Sequence, residues 1–197
     1  SYRRQRQMCI RDRNNLFKLK IILGVFLLFA ISCSSEGNKS QDELIEEAYP
    51  YVTNTGISFD IEDFKDKGFK SLRQYKSVEE LPPLISAYHG IYKKMDYELR
   101  FYNNHQDALN QGTVDAEIVT GKDSIVTGDV PWEDGEKDRR RCSRPPGQPH
   151  SGCNYTSKYG DFVIFENVIV MCEGKDILES RNTCSNLLTL FTNTINK

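Results

Sequence analysis

Hydrophobic residues fall along this chain in three different patterns. From Ile21 to Ile31 they form an uncharged, mostly apolar run of eleven residues. In the middle of the chain they alternate, and near its end they recur at helical spacing. Asp42 to Ala48 favours a short helix ended by Pro50, and Ser58 to Lys67 predicts another, with Phe59, Ile61 and Phe64 apolar and Gly68 as its C-terminal cap. Pro82 and Pro83 then break the chain. Ile85 to Tyr92 alternates as a strand would, although a helix fits there too. Asp96 to Tyr102 is a clearer strand, with Tyr97, Leu99 and Phe101 on one face.

Asn104 is a good N-cap, and Asp107 puts negative charge in the first turn behind it. The predicted helix runs from His105 to about Val119 and buries Ala108, Leu109, Ala116 and Val119, with Gly112 as a weak point. Lys122 to Ser157 is a long polar segment holding Pro131, Pro145, Pro146 and Pro149. A segment of that length within a domain is either functional or pinned, and two cysteines inside it favour pinning. Two apolar, β-branched runs, Phe162–Phe165 and Val168–Cys172, flank Glu166-Asn167 and predict a hairpin. Both of its faces are apolar, so it belongs at the centre of a covered sheet. Asp176 caps a last helix whose stripe is Ile177, Cys184, Leu188, Phe191 and Ile195.

Strands interleaved with only two long helices predict an α+β fold. The expected form is an antiparallel sheet of about four strands with two main helices on one face, in a ferredoxin-like arrangement, plus short N-terminal helices. The alternative is a mixed sheet whose second face is covered by the N-terminal helices.

The first residues belong to a different class of sequence. Residues 1–13, containing Arg6-Gln7-Met8-Cys9-Ile10-Arg11-Asp12-Arg13, resemble translated sequencing adapter, and fold reasoning sets such segments aside. Lys18 and Lys20 precede the eleven-residue apolar run, which is about half of the roughly twenty residues a membrane-spanning helix needs. Positive charge, a short apolar core and small residues behind it are the pattern of a cleaved export signal over residues 14–32. Ala30-Ile31-Ser32-Cys33 resembles the lipobox of bacterial lipoproteins, with Ala30 where leucine is commoner. That resemblance implies cleavage before Cys33, a diacylglycerol on its thiol, and a cell-envelope location facing the periplasm or exterior. Residues 33–41 are polar and suit a flexible tether, leaving residues 42–197 as a single exported domain. The stretch Lys158-Tyr159-Gly160-Asp161-Phe162-Val163-Ile164 resembles exported proteins of marine bacteria, a likeness that implies no activity.

Setting the leader aside changes the charge. Residues 1–32 hold seven of the 26 basic residues and one of the 28 acidic ones, so 19 and 27 remain, a net charge of −8. An acidic domain lacks the cationic footprint of a nucleic-acid binder, and no such partner is expected. Anionic lipid would repel it as well, so membrane attachment falls to the acyl chains. Four further cysteines, in an exported chain without a C-x-x-C pair, favour disulfides over metal or redox chemistry. Local geometry ranks Cys142–Cys153 and Cys172–Cys184 first among the three pairings.

Candidate chemistry is sparse. Cys142, His150 and Cys153 match no standard zinc spacing, and neither metal nor cofactor is expected. Trp132, Asp134, Asp138, Arg139 and Arg140 lie in the densest charged segment and form a candidate ligand-contact loop, able to bind calcium or grip an anion. The plainer reading is a solvated loop whose charges pair with each other, with Trp132 either a buried plug or an exposed contact. No nucleophile elbow, phosphate loop or zinc-protease motif occurs. The expected function is therefore a lipid-anchored, non-catalytic binding or envelope-interaction module. The alternative is a small extracytoplasmic hydrolase or ligand-processing enzyme using the Trp132–Arg141 loop.

Overall fold

The predicted hairpin is the structural centre. The computed structural model describes residues 50–147 and 152–191. The adapter-like residues 1–13, the expected export signal at 14–32, Cys33, the expected tether at 33–41, the helix expected at Asp42–Ala48, His150 and Ile195 all lie outside the described residues. Strand β7 (Tyr159–Phe165) pairs antiparallel with β8 (Val168–Glu173), placing Val163 opposite Val170 and Ile164 opposite Ile169. Around them, β1 (Val52–Thr53), β2 (Lys70–Gln74), β3 (Leu84–Tyr92) and β4 (Met95–Tyr102) complete a six-stranded sheet of order β1-β7-β8-β4-β3-β2. Among the described strands only the β1–β7 pairing is parallel. The sheet exceeds the expected four strands because β1 and β2, short and mostly polar, extend its two edges. Such strands carry too little hydrophobic periodicity to be read from sequence.

The turn between β3 and β4 is made by Lys93 and Lys94, both in left-handed backbone conformation (φ 48° and 69°). Two consecutive positive φ values match the twist of a two-residue hairpin, a turn usually marked by Asn-Gly. Two lysines in those places give no such signal.

Period-two alternation gives the hairpin two apolar faces, and each must be covered. On one face Leu99, Phe101, Val163, Phe165 and Val170 pack with Phe59 and Phe64 and with Cys184, Leu187 and Phe191. This face is covered by α1 (Ile61–Asp66) and by α4 (Ile177–Leu188), which ends in a 3₁₀ turn, Thr189–Phe191. On the other face Ala87, Phe162, Ile164, Ile169 and Met171 meet Ala108, Ala116 and Trp132. The covering helix there, α2, is α-helical at His105–Asp107, π-helical at Ala108–Gly112 and α-helical again at Thr113–Glu117. The two main helices thus lie on opposite faces, not on one, and the ferredoxin-like arrangement is not adopted. The α+β class and the largely antiparallel sheet stand, while the expected placement of the helices is corrected. One helix on each side is what a central hairpin apolar on both faces requires.

The caps follow sequence rules. Asn104 Oδ1 accepts from Asp107 N at 2.9 Å, and Asp176 Oδ1 accepts from Glu179 N at 2.9 Å. Asp60 and Asp63 form a reciprocal capping box on α1. Gly112, a weak point for helix propensity, has a packing reason. A Cβ there would stand 2.8 Å from Tyr102 Cζ and 2.9 Å from Ile169 Cγ1, so only glycine lets α2 sit this close to the sheet.

Both expected disulfides form. Cys142–Cys153 and Cys172–Cys184 have Cα separations of 5.2 and 5.5 Å, the second linking β8 to α4 across the core. The segment from Lys122 to Ser157 is not structureless: it contains α3 (Glu136–Arg139) and a two-stranded sheet of β5 (Arg140–Ser143) and β6 (Asn154–Ser157).

Candidate functional site

β4 carries Asp96, Glu98 and Arg100 on the face opposite Tyr97, Leu99 and Phe101. Alternation alone would send those charges to solvent, yet Glu98 and Arg100 are fully buried. The 120–139 segment lies over them. Trp132, 2% exposed, plugs the cover, its Nε1 donating to Ser77 O at 3.0 Å. Arg139 enters from the end of α3 and donates to Glu98 through Nε (2.8 Å) and Nη2 (3.1 Å), while Nη1 donates to Trp132 O at 3.2 Å. Arg100 Nε donates to Glu98 Oε1 at 2.8 Å. Both guanidinium groups lie over the Trp132 ring, Arg139 at 4.4 Å and Arg100 at 5.2 Å from its centroid. Burial works to raise the Glu98 carboxyl, but the two arginines outweigh it and hold the group below its ordinary range.

The candidate ligand-contact loop is therefore committed elsewhere. Asp134 accepts from Lys76 N (2.6 Å), Ser77 N (3.2 Å) and Arg73 Nη2 (2.6 Å), and Asp138 pairs with Arg73 at 3.2 Å. Arg140 pairs with Glu136 at 3.5 Å and lies over the Tyr155 ring. Trp132 and Arg139 are core. The charges do pair, but mostly with β2 and β4 rather than within the loop. Sequence reading missed Glu98 and Arg100, and the only hint was a row of alternating charges beside a strongly apolar strand.

A second polar network closes the sheet end. Asp96 accepts from Lys158 Nζ at 2.8 Å and contacts His89 Nε2 at 3.2 Å, and Glu173 bridges Asp96 N (2.9 Å) and Arg141 Nη2 (3.3 Å). The His89 contact does most to hold the Asp96 carboxyl at about 2, against burial and with help from Lys158. These groups are saturated by one another, as a structural clasp would be. Among the described residues, no group of three or more His, Cys, Asp or Glu side chains could hold a metal ion.

The open site lies at the other end of β7. A cleft of about 630 Å³ is bounded by the end of α2, the loop after it, β7 and the start of α4. That volume is in the range of small-molecule sites. Tyr51 and Phe162, in edge-to-face contact at 5.3 Å, form one wall, and Ile177, 45% exposed, forms another. Ile177 was expected on the buried stripe of α4 but sits one turn before it, at the cleft mouth. Gly160 keeps the floor tight, since a Cβ there would stand 2.5 Å from Asp176 O. Asp161, on the floor, is ion-paired with Arg181, which also lies 4.6 Å from the centre of the Tyr51 ring. Burial raises the Asp161 carboxyl, and Arg181 opposes that rise. Lys122 and Lys175 are exposed on the rim.

Residues 60–193, more than half of the chain, match a family of unknown function, DUF6810, and the chain belongs to that family. No curated protein and no solved structure matches it. Among the described residues, no helix is long and apolar enough to cross a membrane.

Proposed function

We propose that the chain is an exported lipoprotein, anchored through acyl chains on Cys33, whose domain binds a ligand in the Tyr51–Asp161–Ile177 cleft without catalysing a reaction. The cleft is the observation that carries the binding reading. It offers apolar walls, a shielded ion pair at its floor and an open mouth, the combination that small-molecule sites use for affinity and orientation. Two disulfides in a chain with a lipobox support the exported address. The net charge of −8 argues against nucleic acid. Because each candidate side chain of the 132–141 loop already has an intramolecular partner, binding is favoured over the hydrolytic alternative.

A fluorescent amphiphile tests the site. In the exported Cys33→Ala chain, 8-anilinonaphthalene-1-sulfonate is expected to bind saturably at one site. Ile177→Asp should weaken that binding about tenfold, since burying one aliphatic side chain contributes about 1.5–3 kcal/mol. Equal affinity in the two proteins would place any binding outside the cleft and refute the reading.

A further inference from the structure

Three buried polar atoms face one another between β4 and α2. Along β4, Glu98, Arg100 and Tyr102 alternate onto one face of the sheet. Arg100 commits Nε to Glu98, but its Nη1 has no hydrogen-bond partner among the described residues. Tyr102 Oη has none either, and both side chains are 1% exposed.

α2 passes directly over them. A Cβ on Gly112 would stand 2.8 Å from Tyr102 Cζ, the ring carbon that carries the hydroxyl. Asp115 follows three residues later, and residues three apart lie on the same side of a helix. Its Oδ1 accepts from Gln111 Nε2 at 3.0 Å, while the buried Oδ2 has no partner among the described residues. The Asp115 charge acts on both Arg100 and Tyr102, and Arg100 acts on Tyr102, yet none of the three bonds to another. Native folds pair such buried groups with protein or with ordered water, because an unmade hydrogen bond in the interior is costly.

The chemistry of the three atoms specifies what can join them. Arg100 Nη1 and Tyr102 Oη offer donors, and the Asp115 carboxylate offers an acceptor. Glu98 and Asp115 offset the charges of Arg100 and Arg139, so the cluster calls for no further ion. Arg100 would repel a cation, and Asp115 an anion. The fit is a neutral molecule that both accepts and donates, and the close approach of α2 to the sheet requires it to be small. Water has two lone pairs for Arg100 and Tyr102 and an O–H for Asp115, the set of three bonds that buried waters typically make.

We propose that one water molecule is a built-in component of this fold, accepting from Arg100 Nη1 and Tyr102 Oη and donating to Asp115 Oδ2. It joins the strand that carries the buried ion pairs to the helix whose last residue, Glu117, lines the cleft. The π-helical turn at Ala108–Gly112 belongs to the same arrangement, since such turns are rare, gather at functional positions, and this one ends three residues before Asp115.

High-resolution crystal structures of the exported Cys33→Ala chain test this, from native crystals and from crystals soaked in bromide. The expected result is one spherical density peak about 2.7–3.2 Å from all three atoms, without anomalous signal at the bromine edge. Asp115→Leu removes the acceptor and fills its place with apolar atoms, so it should lose the peak while Arg139 stays on Glu98. Bromide at that position would make it an anion site and overturn the proposal. A parent structure with no peak, or a peak at full occupancy in Asp115→Leu, would overturn it as well. Should Asp115→Leu not fold, the parent crystals still decide between water, anion and neither.

Discussion

Arg139→Ala is expected to destabilise the domain by about 3–5 kcal/mol, the cost typical of removing one partner from a buried ion pair. The substitution strips Glu98 of its two-point guanidinium contact and leaves Trp132 O without its donor. It also opens a hole under Trp132, because Arg139 fills space against both the Trp132 and Tyr75 rings. Arg100 remains on Glu98, but through a single nitrogen. Arg139→Lys should recover only part of the loss, since an ammonium cannot make the paired contact. The pH dependence has a definite sign. In the parent, Glu98 is held below its unfolded value, so its contribution is present above that value and is lost as pH falls through the lower folded one. Without Arg139, burial dominates and the carboxyl takes up its proton more readily. The gap between parent and variant, read from denaturant midpoints at constant slope, should therefore narrow between pH 7 and pH 4. A gap below about 1 kcal/mol at pH 7, the range of exposed pairs, would show that the cluster is a surface pair.

Asn167→Ala is the second large effect, expected at about 3 kcal/mol because unmade buried hydrogen bonds cost about 1–3 kcal/mol each. The Asn167 side chain accepts from Phe59 N at 2.8 Å and donates to Phe59 O and Tyr102 O, both at 3.0 Å. It thereby ties the segment before α1 to the end of β4. Its neighbour Glu166, held at φ 55°, accepts from Thr55 N, Thr55 Oγ1 and Gly56 N, while Glu166 O accepts from His105 Nδ1 at 2.6 Å. A hairpin turn that normally faces water is here the buried junction of the N-terminal segment, the sheet and α2. Asn167→Asp distinguishes this from loss of volume. It is nearly isosteric, but would aim a carboxylate oxygen at two carbonyls, so it should be worse than alanine at pH 7 and improve on acidification. An aspartate variant as stable as the parent at pH 7 would contradict the hydrogen-bond assignment.

Both sites show where sequence reading stopped. The Phe162–Cys172 hairpin, the Asn104 and Asp176 caps and the cysteine pairing were legible because local chemistry decides them. The two-sided apolar character of the hairpin also contained the answer to helix placement, since one helix is needed for each face. What could not be read depends on distant parts of the chain. Glu98 and Arg100 are buried only because Arg139 and Trp132, more than thirty residues on, come to cover them. Lys93 and Lys94 make a turn that their residue types do not announce, and β1 pairs with a strand more than one hundred residues later. The cleft was invisible for the same reason: Tyr51, Phe162 and Ile177 meet only after the sheet has formed.

Export and acylation at Cys33 are tested most directly by the mass of the N-terminal peptide of the protein recovered from the membranes of a bacterial host. The expected peptide begins at Cys33 and carries the added mass of a diacylglycerol, and Cys33→Ala should leave the membrane fraction. An unmodified peptide reading through Ser32 and Cys33, or undiminished membrane retention of Cys33→Ala, would contradict the assignment.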